Sequence, residues 1–124
     1  MARFRKPLKP CFADLVIAGT KDHTVRPMPK RIPKVGDTVT FYVWTGKAYR
    51  SPQRTVKTVT LTQVEPVIIG PGVLEIGTVG VVDPAVFAMR DGFCSWEDLR
   101  AWFTREHGEG RFSGLLLNWG EVYR

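Results

Sequence analysis

The densest run of reactive side chains is Gly19-Thr20-Lys21-Asp22-His23-Thr24-Val25-Arg26. Lysine, threonine and arginine at this spacing suit an anion or a polarised carbonyl. Arginine offers a planar fork of donors. A lysine held among cations loses pKa and can take the proton of a neighbouring hydroxyl, which would make Thr24 a nucleophile. In an extended chain Asp22, Thr24 and Arg26 share one face, and Lys21, His23 and Val25 share the other. A turn at Lys21 would bring it beside Thr24. The same residues also fit an ordinary solvated loop. His23 reads as structural or substrate-lining rather than as a general base.

A second cluster, Trp44-Thr45-Gly46-Lys47-Ala48-Tyr49-Arg50, interleaves aromatic and basic side chains. Such a segment can stack a base and pair phosphates, with Tyr42 as a further ring, and Lys30, Arg31 and Arg54 would add phosphate contacts. It also fits a plain hairpin with solvent-facing ends. The two cysteines, Cys11 and Cys94, form no CxxC, and histidines do not cluster. That argues against a disulfide scaffold and a zinc site. Neither a catalytic histidine pair nor a carboxylate cluster for a metal marks a ribonuclease, and no metal or cofactor is expected. Cys94, between Phe93 and Ser95, is expected to be buried. His107 ends a helical pattern, where a cation suits the dipole.

Charge points to the partner. The chain has 124 residues, with 18 Lys+Arg against 12 Asp+Glu, a formal net charge of +6. Residues 1–57 hold 13 basic and 3 acidic residues, whereas residues 58–124 hold 5 and 9. A basic half favours a polyanion, nucleic acid first. The length reads as one domain over 1–124 with a basic N-terminal segment at 1–8, and a monomer is favoured. Apolar runs such as Val67-Ile68-Ile69 and Leu115-Leu116-Leu117 are far below the ~20 residues of a membrane span. The basic start, interrupted by Pro7 and Pro10, does not read as a secretory leader, so a reducing cytoplasmic setting is expected.

These residues need elements to position them. Phe12, Leu15, Val16 and Ala18 mark a short helix, with Pro10 at its first turn and Gly19 as its stop. Arg26–Lys34 has three prolines and four basic residues and reads as an exposed loop. Val39, Phe41 and Val43 alternate with Thr38, Thr40, Tyr42 and Trp44, a strand of period two. Arg54–Ile69 reads as one long or two short strands, broken by Pro71-Gly72. Asp83-Pro84 starts a helix to Met89. Ser95 caps a helix over Trp96–His107, with Trp96, Leu99, Trp102 and Phe103 as its buried stripe and Gly108 as its stop. Leu115–Val122 reads as a closing strand. Several short strands with few helices predict an α+β domain, a small β-barrel flanked by short helices.

The run Gly19-x-Lys21-x-x-Thr24-x-Arg26 resembles the GxKxx[ET]xR motif of the ASCH domain family in the PUA superfamily. The helix ending at Ala18, Val35-Gly36-Asp37-Thr38-Val39, the Arg90-Asp91-Gly92-Phe93 element with Ser95-Trp96 behind it, and Gly114–Trp119 resemble further family features in order. The later ones are similar to phage and prophage versions. Together they span about residues 8–120. The resemblance implies a PUA-like barrel with a cleft that binds RNA or a modified nucleoside. Thr24 at the sixth motif position is similar to the branch of N-acetylcytidine amidohydrolases. That branch implies a catalytic group of Lys21, Thr24 and a later acid, for which Asp91 stands in place of the branch's glutamate. Arg26 would bind phosphate, ribose or the oxyanion; Lys30, Arg31, Trp44, Lys47, Tyr49 and Arg50 would hold substrate or RNA. Non-catalytic RNA binding remains an alternative, as does a small phage-type protein that modulates a host protein.

Overall fold

The computed structural model describes residues 1–124. The elements run β1 (Arg3–Pro7), α1 (Pro10–Ala18), β2 (His23–Pro27), β3 (Thr38–Trp44), β4 (Gln53–Thr60), β5 (Gln63–Gly70), β6 (Val73–Ile76), α2 (Pro84–Arg90), α3 (Trp96–His107) and β7 (Phe112–Asn118). Three helices and seven strands make it an α+β fold. The strands form two sheets, ordered β1-β3-β4 and β2-β7-β5-β6, and no strand ladder closes them into one barrel.

Local chemistry accounts for the ends. Asp83 accepts from the Ala85 amide at the start of α2, and Ser95 accepts from the Asp98 amide at the start of α3. Each removes an orphan donor of a first helical turn. α1 starts on Pro10 and stops on Gly19 at φ 83°, a left-handed conformation that glycine adopts without steric cost.

β7 lies between β2 and β5 and is buried on both faces. Leu115 and Leu117 join one core with Phe12, Val16, Val39, Phe41 and Val59 beneath α1. Leu116 joins the other with Val25, Ile69, Phe87, Leu99 and Phe103 beneath α2 and α3. A strand covered on both sides needs no polar alternation, which is why this segment reads as a continuous leucine run.

Some segments differ from expectation. β1 pairs parallel with β3, although only Phe4 among Arg3, Phe4, Arg5 and Lys6 advertises an inner face. Its apolar signal is too short for periodicity to detect. Arg26 and Pro27 close β2 rather than opening the basic loop. β2 is an edge strand, where the missing amide of Pro27 costs no ladder bond on the free side. The closing strand spans Phe112–Asn118 and stops at the Asn118 turn, short of Val122. Cys94 is exposed rather than buried, because Phe93, not its neighbour, turns towards the core. No helix is long and apolar enough to cross a membrane.

Candidate functional site

The site begins where α1 stops. After Gly19 the chain turns, and the Lys21 amide donates to the Leu15 carbonyl at 3.0 Å. The next residue is clamped on both sides: the Asp22 amide donates to the Arg90 carbonyl, and the Trp119 amide donates to the Asp22 carbonyl, both at 3.0 Å. The Asp22 carboxylate also accepts from Arg90 Nε at 2.8 Å. The polar run is therefore held between the end of α2 and the end of β7.

Lys21 is carried inward, 2% exposed, to Asp91, 3% exposed. Its Nζ donates to the Asp91 carbonyl oxygen at 2.6 Å and to Oδ1 at 3.2 Å. The Phe12 ring covers it, with its centroid 4.8 Å from Nζ. Asp91 can sit so close because Gly92 follows it. Gly92 has φ 98°, and a Cβ there would lie 3.1 Å from the Phe12 ring and 3.3 Å from Lys21 Cδ. Burial pushes the Lys21 ammonium below its ordinary pKa, with Asp91 acting in the opposite direction.

His23 is fully buried and bonds Asp91 from the other side, Nδ1 to Oδ1 at 3.1 Å. Its Nε2 lies 2.8 Å from the Tyr123 hydroxyl. Burial lowers the imidazole pKa and raises that of the phenol. Both groups are thus neutral near pH 7. The Tyr123 O–H donates to Nε2, and the Nδ1–H donates to Asp91. Arg90 stacks over Tyr123 at 4.4 Å and donates to Asn118 Oδ1 at 3.1 Å. Asn118 donates in turn to Gln63 Oε1 at 3.0 Å. This buried polar network is largely satisfied, which is what makes it rigid.

Beside it opens a cleft of about 470 Å³, within the size range of small-molecule sites. Thr24 and Arg26 of β2 form one wall, Phe12 and Trp102 another, and Trp44 and Tyr49 the mouth. Thr24, Arg26, Trp44 and Tyr49 therefore line one cleft. Lys21 and Asp91 also meet, but behind Phe12, and no hydrogen bond joins the Thr24 hydroxyl to either of them. Arg26 Nη2 donates to the Pro7 carbonyl at 2.6 Å, which ties the edge of one sheet to the edge of the other. Arg26 Nε is buried with no partner. A buried donor without an acceptor is costly, and an anion or carbonyl in the cleft would relieve that cost.

The remaining basic candidates do not line the cleft. Lys30 is exposed, and Arg31 lies over the Phe4 ring at 4.7 Å. Lys47 and Arg50 are exposed in the β3–β4 loop. No group of three or more His, Cys, Asp or Glu side chains is placed to hold a metal ion. No protein-family model, curated protein or solved structure matches the chain.

Sequence reasoning missed four contributors. Trp102 fits the buried stripe of α3, yet its half-buried ring also lines the cleft. His107 does so too, while packing 4.4 Å from Phe112. Phe12 carries the helical signal of a core residue but doubles as the partition over Lys21. Tyr123 lies beyond the last strand and gives no local sign of reaching His23.

Proposed function

We propose that this chain is an ASCH-type domain of PUA-like architecture whose cleft binds a nucleoside base, free or within RNA. The most concrete activity is hydrolysis of the N-acetyl group of N-acetylcytidine. The observation that carries this reading is the meeting of Lys21 and Asp91, 70 residues apart, beside a cleft walled by Thr24 and Arg26. In a PUA-like reading, the Arg26–Pro7 contact bridges the two sheets where a barrel would close.

The chemistry follows from these groups. For turnover the Phe12 ring must swing aside so that Lys21 and Asp91 meet the cleft; the Thr24 hydroxyl then attacks the amide carbonyl, and its proton passes to the neutral Lys21 amine, whose pKa burial lowers. The C–N bond breaks as Lys21 returns that proton to the exocyclic nitrogen, leaving acetyl on Thr24. Water, with Asp91 as the base, releases acetate and restores the hydroxyl. Arg26, with its free Nε, suits the developing oxyanion or a phosphate. Trp44, Tyr49 and Trp102 supply faces for the base. Lys21 must give up the proton that its contact with Asp91 favours before it can act.

That ion pair also favours a second reading: the same cleft binds RNA without turnover, with Lys21–Asp91 as a structural pair. Titration of N-acetylcytidine and cytidine, followed by tryptophan fluorescence, tests the cleft under both readings. Arg26→Met and Trp44→Ala should weaken binding by about tenfold, the loss of a single good contact. Affinities equal to wild type would reject the cleft.

A further inference from the structure

The charge asymmetry of the sequence maps onto one sheet. No Asp or Glu occurs in residues 1–13 or 38–62, so β1, β3, β4 and the β3–β4 loop carry none. They do carry exposed Arg3, Arg5, Lys47, Arg50, Arg54 and Lys57. The inner face of this sheet packs on α1 through Val39, Phe41 and Val43. Its outer face has no helix over it. There Thr38, Thr40, Tyr42 and Trp44 of β3 stand beside Thr60, Thr58, Thr55 and Gln53 of β4.

Aromatic rings run along that face to the cleft. Tyr42 and Trp44 meet edge to face at 5.8 Å, and Trp44 and Tyr49 meet at 5.2 Å. Trp44 and Tyr49 also line the cleft mouth. Arg5 lies 5.0 Å over the Tyr42 ring and is held by Gln53 Oε1 at 2.8 Å. Tyr49 is 85% exposed with φ 65°, a left-handed conformation that a bulky residue rarely adopts without a reason.

We infer that the outer face of the β1-β3-β4 sheet binds single-stranded nucleic acid, whose end base enters the cleft. The inference deepens the cleft reading and rests on it for the position of that base. Unpaired bases stack on Tyr42, Trp44 and Tyr49, while Arg3 and Arg5 at the β1 edge and Lys47 and Arg50 of the β3–β4 loop neutralise the backbone. A duplex hides its base faces and cannot use the rings. Thr40 and Thr58 bond each other, which leaves the Thr38, Thr55 and Thr60 hydroxyls of that face to donate to phosphate or sugar oxygens.

The test uses the full chain and a fluorescent 12-nucleotide single strand, as RNA and as DNA, with the matched duplex as comparison. Anisotropy should report tighter binding of single strand than of duplex. Affinity should fall by roughly tenfold or more between about 50 and 200 mM salt. Tyr42→Ala should weaken the single strand by about fivefold or more, the loss of one stacked base. Because ring removal can disturb the sheet, a second variant, Arg3→Glu with Arg5→Glu, reverses two exposed charges that share the outer face with Thr38 and Thr40. It should weaken the oligonucleotide and leave N-acetylcytidine binding as in wild type. Unchanged oligonucleotide affinity in both variants, or a duplex bound as well as the single strand, overturns the inference. A protein that takes the nucleoside but no oligonucleotide also overturns it and leaves the cleft reading standing. Oligonucleotide binding that needs Tyr42, without any nucleoside binding, upholds the sheet face and removes the cleft reading.

Discussion

Lys21 Nζ lies 2.6 Å from the carbonyl oxygen of Asp91 and 3.2 Å from its Oδ1, with both side chains buried. The pair joins the turn after α1 to the end of α2. Both side chains are almost fully buried, so each charge depends on the other. Asp91→Ala leaves a buried ammonium and should destabilise the fold by about 3–5 kcal/mol in urea unfolding. The double variant Lys21→Met, Asp91→Leu should recover most of that loss. A double variant no more stable than Asp91→Ala would contradict the pair's role.

His23 gives the fold a dependence on mild acid. Burial lowers its folded pKa from the ordinary 6.5, despite the pull of Asp91. The unfolded chain therefore binds the proton first as pH falls. The stabilisation from burying neutral His23 is complete above 6.5 and is lost below it, towards the lower folded pKa. Lys21, Asp91, Arg90 and Tyr123 surround the ring and set that lower limit. The thermal midpoint should drop between about pH 7 and pH 5, above the usual carboxylate range, and His23→Gln should flatten the drop. The same slope in both proteins would exclude His23 as the cause.

Gly92 is required twice over, by its φ of 98° and by the 3.1 Å approach of the Phe12 ring to a Cβ. Gly92→Ala should cost about 1–2 kcal/mol, more than an ordinary loop substitution. Denaturation midpoints would check it, and a neutral result would mean that Phe12 and Lys21 yield easily.

Arg26 should separate stability from binding. Its Nε is buried without a partner, so Arg26→Met removes an unmet donor along with the bond to Pro7. The two effects are each about 1 kcal/mol and opposed, so the unfolding midpoint should hardly move while ligand affinity falls. A large stability loss would make Arg26 a structural tie between the sheets.

Much of the frame was legible because it rests on local rules. Ser95 and Gly108 bracket Trp96–His107 as caps should, and the alternation from Thr38 to Trp44 is a strand in the structure. β1 was not legible, since its pairing with β3 comes from sequence-distant packing of Phe4. In the site, Thr24 and Arg26 could be placed on one face by strand periodicity. The partition by Phe12 could not, because a helix pattern tells which residues are buried and not what they cover. The Tyr123–His23 bond spans 100 residues and leaves no periodic trace.

The most direct test of the account is chromatographic. Wild type and Thr24→Val, which keeps shape but removes the hydroxyl, would be incubated with N-acetylcytidine and the release of free cytidine followed. The proposed chemistry predicts release by wild type and none by the folded variant. No release by wild type, or equal release by both, would contradict it.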